Sequence, residues 1–580
     1  MATLLPPLAR WLITARRERP APHLEVAPER ISSWPWTVFG LMVVAGMVLF
    51  FKLGSFRTLG SHEIFAVVPA REMMESGNYV FPTFGGLPRL RKPPLVYWLV
   101  AGSATLCGEL SPLSARLPSA LAGLLLAGLM GTWAKRWYGS SVGWAAAFVQ
   151  LTSVWFVMFA RKAEIDIVLC LFNTTALFLV ADQPDTESRQ RSFWRWLAFY
   201  VLLSLAWMAK FHYGPSMILA PVGLFFLVDR KAGRFRKFLH PVGMTLFAAA
   251  LVVWPLLVLE QAPNAWEIWR RETVGRALGE MGSHNLFFYV PFLVGLPLPW
   301  TFFALASLRR SWQAAWNKKD SHERFLWIWF FAQFAILMVS ANKHKHYLLA
   351  LLPIFTLLAA RSLSDILHGF RAGHLQISRK WVGPLILLNI ALGVALLLVL
   401  KKKWPELSGP ALILALTLSC CEGSGWILLY YRRVRAVLSV NILSLIVAGI
   451  VIAGWFLPNA DRRVNVQIFA EEIRSEKLPT QPVCVFCMDR DPLVYHLGSP
   501  VYRVESVSDL SSKLQMDSPR FVIGYEWMVN DLKSIADVHP LARLPQGKDG
   551  IEPVEGDLLL VKLTPHRQTA AKPVHSVNAN

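Results

Sequence analysis

The charged residues of this chain are few, and most of them gather in short segments where their types could do chemistry. Residues 60–77 open with His62 and Glu63, a pair able to act as a general base because an imidazole titrates near neutrality and a carboxylate can accept a proton beside it. The same two residues could also be solvated loop groups, or a first-turn carboxylate satisfying helix amides. Arg89, Arg91 and Lys92 precede Pro93-Pro94, and fixed cations at a bilayer surface suit a lipid phosphate, whether on a substrate or on ordinary headgroups. Arg161, Lys162, Glu164 and Asp166 crowd one turn between apolar runs, where charge is tolerated only if it faces water or its own counter-ions. Lys210 stands with His212 and Tyr213 ahead of Gly214-Pro215. Residues 342–347 (Asn-Lys-His-Lys-His-Tyr) bring Lys343, Lys345, His346 and Tyr347 together, a density of cations suited to a pyrophosphate or phosphodiester. His344 and His346 alone are a weak zinc pair, since no acidic or Cys ligand lies at a supporting spacing. In 259–285, Trp266, Trp269, Arg270, Arg271, Glu272, Arg276 and His284 interleave rings with charge, as sugar-stacking surfaces and membrane interfaces both do.

The elements that must position these groups are membrane helices. The 580 residues are 54% hydrophobic and 17% charged, with 24 Trp and 35 Phe, which excludes a soluble globular protein. Apolar runs recur near 36–53, 112–133, 141–159, 165–182, 194–209, 214–229, 240–258, 286–308, 325–341, 346–363, 381–400, 409–430 and 437–457. The expected fold is therefore an all-α polytopic membrane protein of about thirteen spans, because lipid offers no partner to an open sheet edge. The net charge of 59 − 38 = +21 sits mostly in short loops and reports topology rather than nucleic acid. Residues 93–108 decide that topology. As a span they would put the basic loops at 135–136, 230–237 and 309–319 outside; as a helix along the outer interface, starting at its prolines, they leave those loops inside.

The second choice places the N-terminus inside and the tail outside, with 401–403 as the misfit, and it gathers the loops at 54–111, 161–166, 210–215, 259–285 and 342–346 on one outer face. The expected organisation is a basic N-terminal tail over 1–33, a membrane domain over 34–457 with a large first outer loop at 54–111, and a small α/β domain over 458–565. A disordered end follows at 566–580. The six Cys form neither a metal cluster nor a disulfide framework, and no P-loop or dinucleotide fingerprint occurs, which argues against an ATP-driven pump.

Several stretches, in the same order, resemble the C-type integral-membrane glycosyltransferases, in particular the lipid A aminoarabinose transferases and the protein O-mannosyltransferase-like group. They are residues 60–77, the Arg91-Lys-Pro-Pro-Leu-Val-Tyr-Trp98 run, 115–123, 160–166, Ala209-Lys210 with Gly214-Pro215, and 342–353, together spanning about residues 36–365. The resemblance implies transfer of a sugar from a polyprenyl-phosphate carrier to an acceptor at the outer face of a bacterial inner membrane. It implies a carboxylate in the first outer loop, where the family usually has Asp-Glu; here His62 stands at the Asp and Glu63 at the Glu. Lys92 matches the lysine that meets the carrier phosphate, Asp166 the second acidic position, and Lys343 or Lys345 the basic turn near the phosphates.

The roles expected on that basis are His62, Glu63 and Asp166 for catalysis, and Lys92, Arg91, Lys210, Lys343, Lys345 and His346 for the carrier phosphate. Arg161, Glu164, Tyr347, Glu272, Arg276 and His284 are expected at acceptor or sugar. The partners are a polyprenyl-phosphate-linked sugar, a lipid or protein acceptor and membrane lipids, with no nucleic acid. No cofactor is required, because the donor is already activated; a divalent metal stays open. The competing readings are a relative that only binds polyprenyl phosphate and a transporter or flippase for lipid-linked sugar, which would carry charges midway along its spans and paired broken helices.

Overall fold

The computed structural model describes residues 13–15, 34–184, 186–229, 232–275, 278–280, 282–372, 374–403, 405–458, 467–475, 483–486, 491–497, 501–510, 521–544 and 557–565. Arg276, Cys487, the end at 566–580 and most of the N-terminal tail lie outside them. Two compact units emerge. One comprises Met1–Arg57, Pro69–Thr83 and Pro88–Pro458; the other comprises Thr58–Val68, Phe84–Leu87 and Asn459–Asn580.

The first unit is an integral-membrane helical bundle. Seven helices are long and apolar enough to cross a bilayer, and an eighth span results if Ser140–Thr152 and Val154–Ala160, bent by 63°, count as one. Five shorter apolar helices of 10–17 residues, among them Leu95–Cys107 and Asp166–Ala181, complete the apolar set among the described residues. Several spans expected from the sequence, 36–53, 165–182 and 214–229, thus fall on shorter helices, and the 13 residues of Val38–Phe50 reach only about 20 Å against roughly 30 Å of hydrocarbon. Leu95–Cys107 begins directly after Pro93-Pro94 and ends at Gly108 in the left-handed region (φ 83°), as its sequence suggested.

The Pro112–Tyr138 helix shows how local chemistry sets an element's ends. Ser111 caps it in a capping box with Ser114, Pro112 supplies a pre-set φ at the first turn, and Lys135 and Arg136 meet the carbonyl end before Gly139 (φ 93°) stops it. The bend after Thr152 has an equally local cause. Ser153 leaves the helical region (ψ 126°), and the freed Val154 N–H donates to the Leu298 carbonyl at 2.9 Å. The N-terminal tail contributes one unexpected element, a strand Ile13–Ala15 paired antiparallel with Leu375–Ile377.

The second unit holds a five-stranded sheet in the spatial order Val501–Val504, Val483–Phe486, Phe521–Tyr525, Leu558–Pro565, Ala536–Leu544. The first three strands run parallel and the last two pairings are antiparallel. Val483–Phe486 is buried at every residue, as expected of a central parallel strand covered on both faces. The core gathers Phe486, Val504, Leu510, Val522, Met528 and Val561.

Candidate active site

Four separate segments of the first unit converge on one carboxylate. Asp166 is the first residue of the Asp166–Ala181 helix, and its Oδ1 accepts from the Lys210 ammonium at 2.8 Å. Lys210 is the last residue of the Arg189–Lys210 helix. Both partners are about nine-tenths buried, so the pair is well shielded from water. Two rings flank the ammonium, Tyr347 at 4.4 Å and Tyr213 at 5.1 Å, and the Tyr213 hydroxyl donates to the Tyr347 carbonyl at 3.2 Å.

The sharp turn after Lys210 makes this possible. Phe211 adopts φ 41°, rare for a non-glycine, and a Cβ on Gly214 would lie 2.1 Å from the Ala206 carbonyl oxygen, so only glycine lets the next helix start so close. Phe211 itself packs with Leu90, Trp254, Val258 and Trp269. Trp269 donates its indole N–H to the Leu90 carbonyl at 2.9 Å, and Trp254 donates to Val80 at 3.0 Å. The aromatic residues of 254–269 thereby fix the backbone just before Lys92.

Lys92 belongs to the same electrostatic neighbourhood as Lys210, Asp166, Arg89 and Glu164. Its side chain is reached by solvent while protein surrounds it. Loss of bulk water, and then the Lys210 ammonium, lower its pKa to about 8 against the opposing pull of Asp166. Arg91, equally exposed, pairs with Glu272 at 3.5 Å. His346 lies within the field of Asp166 and packs edge-on against Tyr347 with centroids 4.6 Å apart.

Other expected site residues take local tasks. Arg161 donates to the Val48 carbonyl and to the Phe51 carbonyl, each at 2.8 Å, and its guanidinium lies 4.6 Å over the Phe56 ring; it caps the end of the first helical segment. The physical reason for these contacts is the exposed carbonyl row at a helix end. Lys343 is buried, with its ammonium donating to the Ser340 carbonyl at 2.6 Å, whereas Lys345 is exposed above the Phe292 ring. His284 Nδ1 accepts from the Lys343 amide at 3.5 Å. Glu164 pairs with Lys162 at 3.6 Å, and its backbone carbonyl accepts from Ser119 at 3.0 Å.

His62 and Glu63 belong to the second unit. Glu63 is buried in the first turn of the Ser61–Ser76 helix and accepts the Gly60 amide at 2.9 Å, the first-turn arrangement open to it from the sequence. His62 is exposed, with its ring 6.2 Å from Phe65. Among the described residues no three His, Cys, Asp or Glu side chains group as metal ligands.

Sequence reasoning missed Arg116, fully buried and donating to the Leu53 carbonyl at 3.0 Å and the Arg57 carbonyl at 3.1 Å. It also missed the role of Tyr213 as a wall beside Lys210. An arginine inside an otherwise apolar helix was the available signal for the first; nothing local marked the second.

Comparison with known proteins adds relatives to this geometry. A family model described as dolichyl-phosphate-mannose-protein mannosyltransferase matches residues 91–258. An undecaprenyl phosphate-alpha-4-amino-4-deoxy-L-arabinose arabinosyl transferase of Pseudomonas fluorescens is 24% identical over 476 residues, 80% of this chain and 79% of that protein. A Pseudomonas savastanoi protein of the same description is 27% identical over 53% of this chain and 58% of its own length. Among solved structures, ArnT from Cupriavidus metallidurans in the apo state superposes with a TM-score of 0.72 at 19% identity, covering 92% of this chain and 98% of that one. The same protein bound to undecaprenyl phosphate gives 0.69, covering 91% and 98%. Sequence and fold together bear out the resemblance read from the motifs.

Proposed function

We propose that this chain, a relative of the C-type integral-membrane glycosyltransferases by sequence and by fold, transfers a sugar from a polyprenyl-phosphate carrier to an acceptor. Lipid A is the acceptor favoured by the aminoarabinose-transferase relatives; another envelope lipid or a protein hydroxyl is the alternative. The reading includes about thirteen spans, a bacterial inner membrane, and an active site on its periplasmic face. One observation carries it: Lys92, open to solvent, stands in the field of the buried Lys210–Asp166 pair, a fixed cationic site at the end of an apolar bundle.

In the proposed reaction the bond from the anomeric carbon to the phosphate oxygen breaks, and a bond from that carbon to the acceptor oxygen forms. The electron pair leaves with the carrier phosphate, which Lys92 stabilises as charge develops. Asp166 holds Lys210, and Tyr213 and Tyr347 keep water from that pair, so Lys210 supports the phosphate field while bound to its own carboxylate. The acceptor proton goes to His62 or Glu63, an assignment that rests on the motif match. No nucleotide enters the scheme and no cofactor is required by it, and transfer measured with and without a chelator decides whether a divalent metal takes part.

The test is transfer of radiolabelled sugar from polyprenyl-phosphate donors to an envelope extract, using membranes with the intact chain, Glu63→Gln, His62→Ala and Lys92→Ala. Label in one lipid or protein band that vanishes with Lys92→Ala and with one of the two base variants supports the reading and names the base. Retained carrier binding without transfer from any donor would leave a binding or transport protein.

A further inference from the structure

A groove of about 320 Å³ runs between the Trp34–Ala45, Pro112–Tyr138 and Ser140–Thr152 helices, away from the Asp166 cluster. Its lining is apolar except for Thr132, Lys135 and Ser140, and these three gather at one end, where the second helix finishes and the third begins. From Leu124 to Lys135 the groove follows eleven residues of helix, about 16 Å and so roughly half the hydrocarbon thickness of a bilayer. That is the depth of a single leaflet. Ser119, bonded to the Glu164 carbonyl, marks the level of the candidate active site; Lys135 lies 16 residues further along, about 24 Å away and near the opposite membrane face.

A glycine in the groove floor gives an independent reason to look for an occupant. Gly131 and Gly143 are explained by close helix packing, for a Cβ on either would meet the neighbouring helix at 3.2 Å and 2.7 Å. Gly128 has no such reason: a Cβ there would meet nothing within 4 Å. Glycine is the poorest helix former after proline, and here the space above it is the groove itself.

We infer that this groove holds one acyl chain of an anionic phospholipid, with its phosphate against Lys135, in the leaflet far from the Lys92 and Asp166 cluster. The length matches one leaflet and the polar end carries a cation, as the acyl chain and phosphate of one lipid require. The site is independent of the proposed sugar transfer and of its carrier.

The full chain, extracted from membranes containing phosphatidylglycerol and phosphatidylethanolamine, is examined by native mass spectrometry. The intact protein should retain one phosphatidylglycerol. Gly128→Leu, which fills the open space, should lower that occupancy at least tenfold without lowering the unfolding temperature, while Gly128→Ala should keep the lipid. Lys135→Gln should keep a lipid but lose the preference for the anionic headgroup. Full occupancy in Gly128→Leu, unchanged selectivity in Lys135→Gln, or a bound polyprenyl phosphate or protein in place of phospholipid overturns the inference. Should Gly128→Leu fail to fold, Leu124→Phe fills the groove from its half-exposed rim and carries the same expectation.

Discussion

Two polar clusters lie toward opposite ends of the membrane helices, and they are built on opposite principles. In one of them, Glu323 is buried and both its carboxylate oxygens are used: Oε1 accepts from Arg361 and from the Tyr138 hydroxyl at 3.1 Å, and Oε2 accepts from Ser311 at 2.6 Å. The Arg361 guanidinium lies 4.5 Å over the Tyr138 ring, and Trp327 donates to Ser311 at 3.1 Å. Donors and acceptors there match each other. Around Asp166, by contrast, Lys210 holds Asp166, Lys162 pairs with Glu164, and Lys92 stands in the field of both carboxylates, open to solvent. A closed network holds helices together, whereas one that leaves a cation open to solvent is ready for an anion. Both could be described as intramembrane charge; only satisfaction and access separate them.

The largest expected effect tests the closed cluster. Glu323→Ala leaves Arg361 buried without its carboxylate and should cost about 3–5 kcal/mol of stability, read as a lower unfolding temperature of the detergent-solubilised chain. Replacing both partners with Met should recover most of it. At the open cluster the order reverses. Lys92→Ala should change stability by no more than about 0.5 kcal/mol. The same change should weaken polyprenyl-phosphate binding at least tenfold, about 1.4 kcal/mol, with Lys92→Arg restoring it. A Lys92→Ala protein that unfolds early but binds normally would erase the distinction.

A subtler effect follows from the Lys92 pKa near 8. Below that pH the ammonium is charged and holds phosphate; as pH rises through 8 it loses its proton, so carrier affinity should fall between pH 7 and 9. In Lys92→Arg the guanidinium stays charged and the fall should flatten, as carrier titrations at several pH values would show. The smallest effect is expected at the exposed Arg310–Asp365 pair, where Arg310→Ala should cost between about 0 and 1 kcal/mol. A larger loss there would show that position near a membrane face, rather than burial, sets the value of these pairs.

Much of the open cluster was legible in the sequence because its members announce themselves. Lysines and an aspartate in short turns between apolar runs have few places to go, and the bias of basic loops puts 161–166, 210–215 and 342–346 on one face. The convergence of Asp166, Lys210 and His346 agrees with that sorting. Which of these charges is open and which is spent was not legible. Lys210 and Lys92 look alike in sequence, yet one is held by a carboxylate 44 residues away and the other is left accessible. Nothing in the sequence around Arg161 announces its reach of 110 residues to the Phe51 carbonyl. Such assignments depend on contacts between distant segments, which no local spacing encodes. Three strands of the second unit, Val483–Phe486, Phe521–Tyr525 and Leu558–Pro565, were legible for a simpler reason, their short apolar runs, but Val501–Val504, Ala536–Leu544 and the inclusion of 58–68 and 84–87 in that unit were not.

The tight corner at Gly214 has an evolutionary consequence. Nine residues along the same helix, Gly223 has open space around it, and substitutions there can accumulate without touching anything. At Gly214 every other amino acid brings an atom into the Ala206 carbonyl and pushes apart the two helix ends that keep Lys210 on Asp166. One helix therefore carries a glycine free to drift and another that is not, and the second should vary across descendants of this chain only where the lysine–aspartate pair has itself been abandoned.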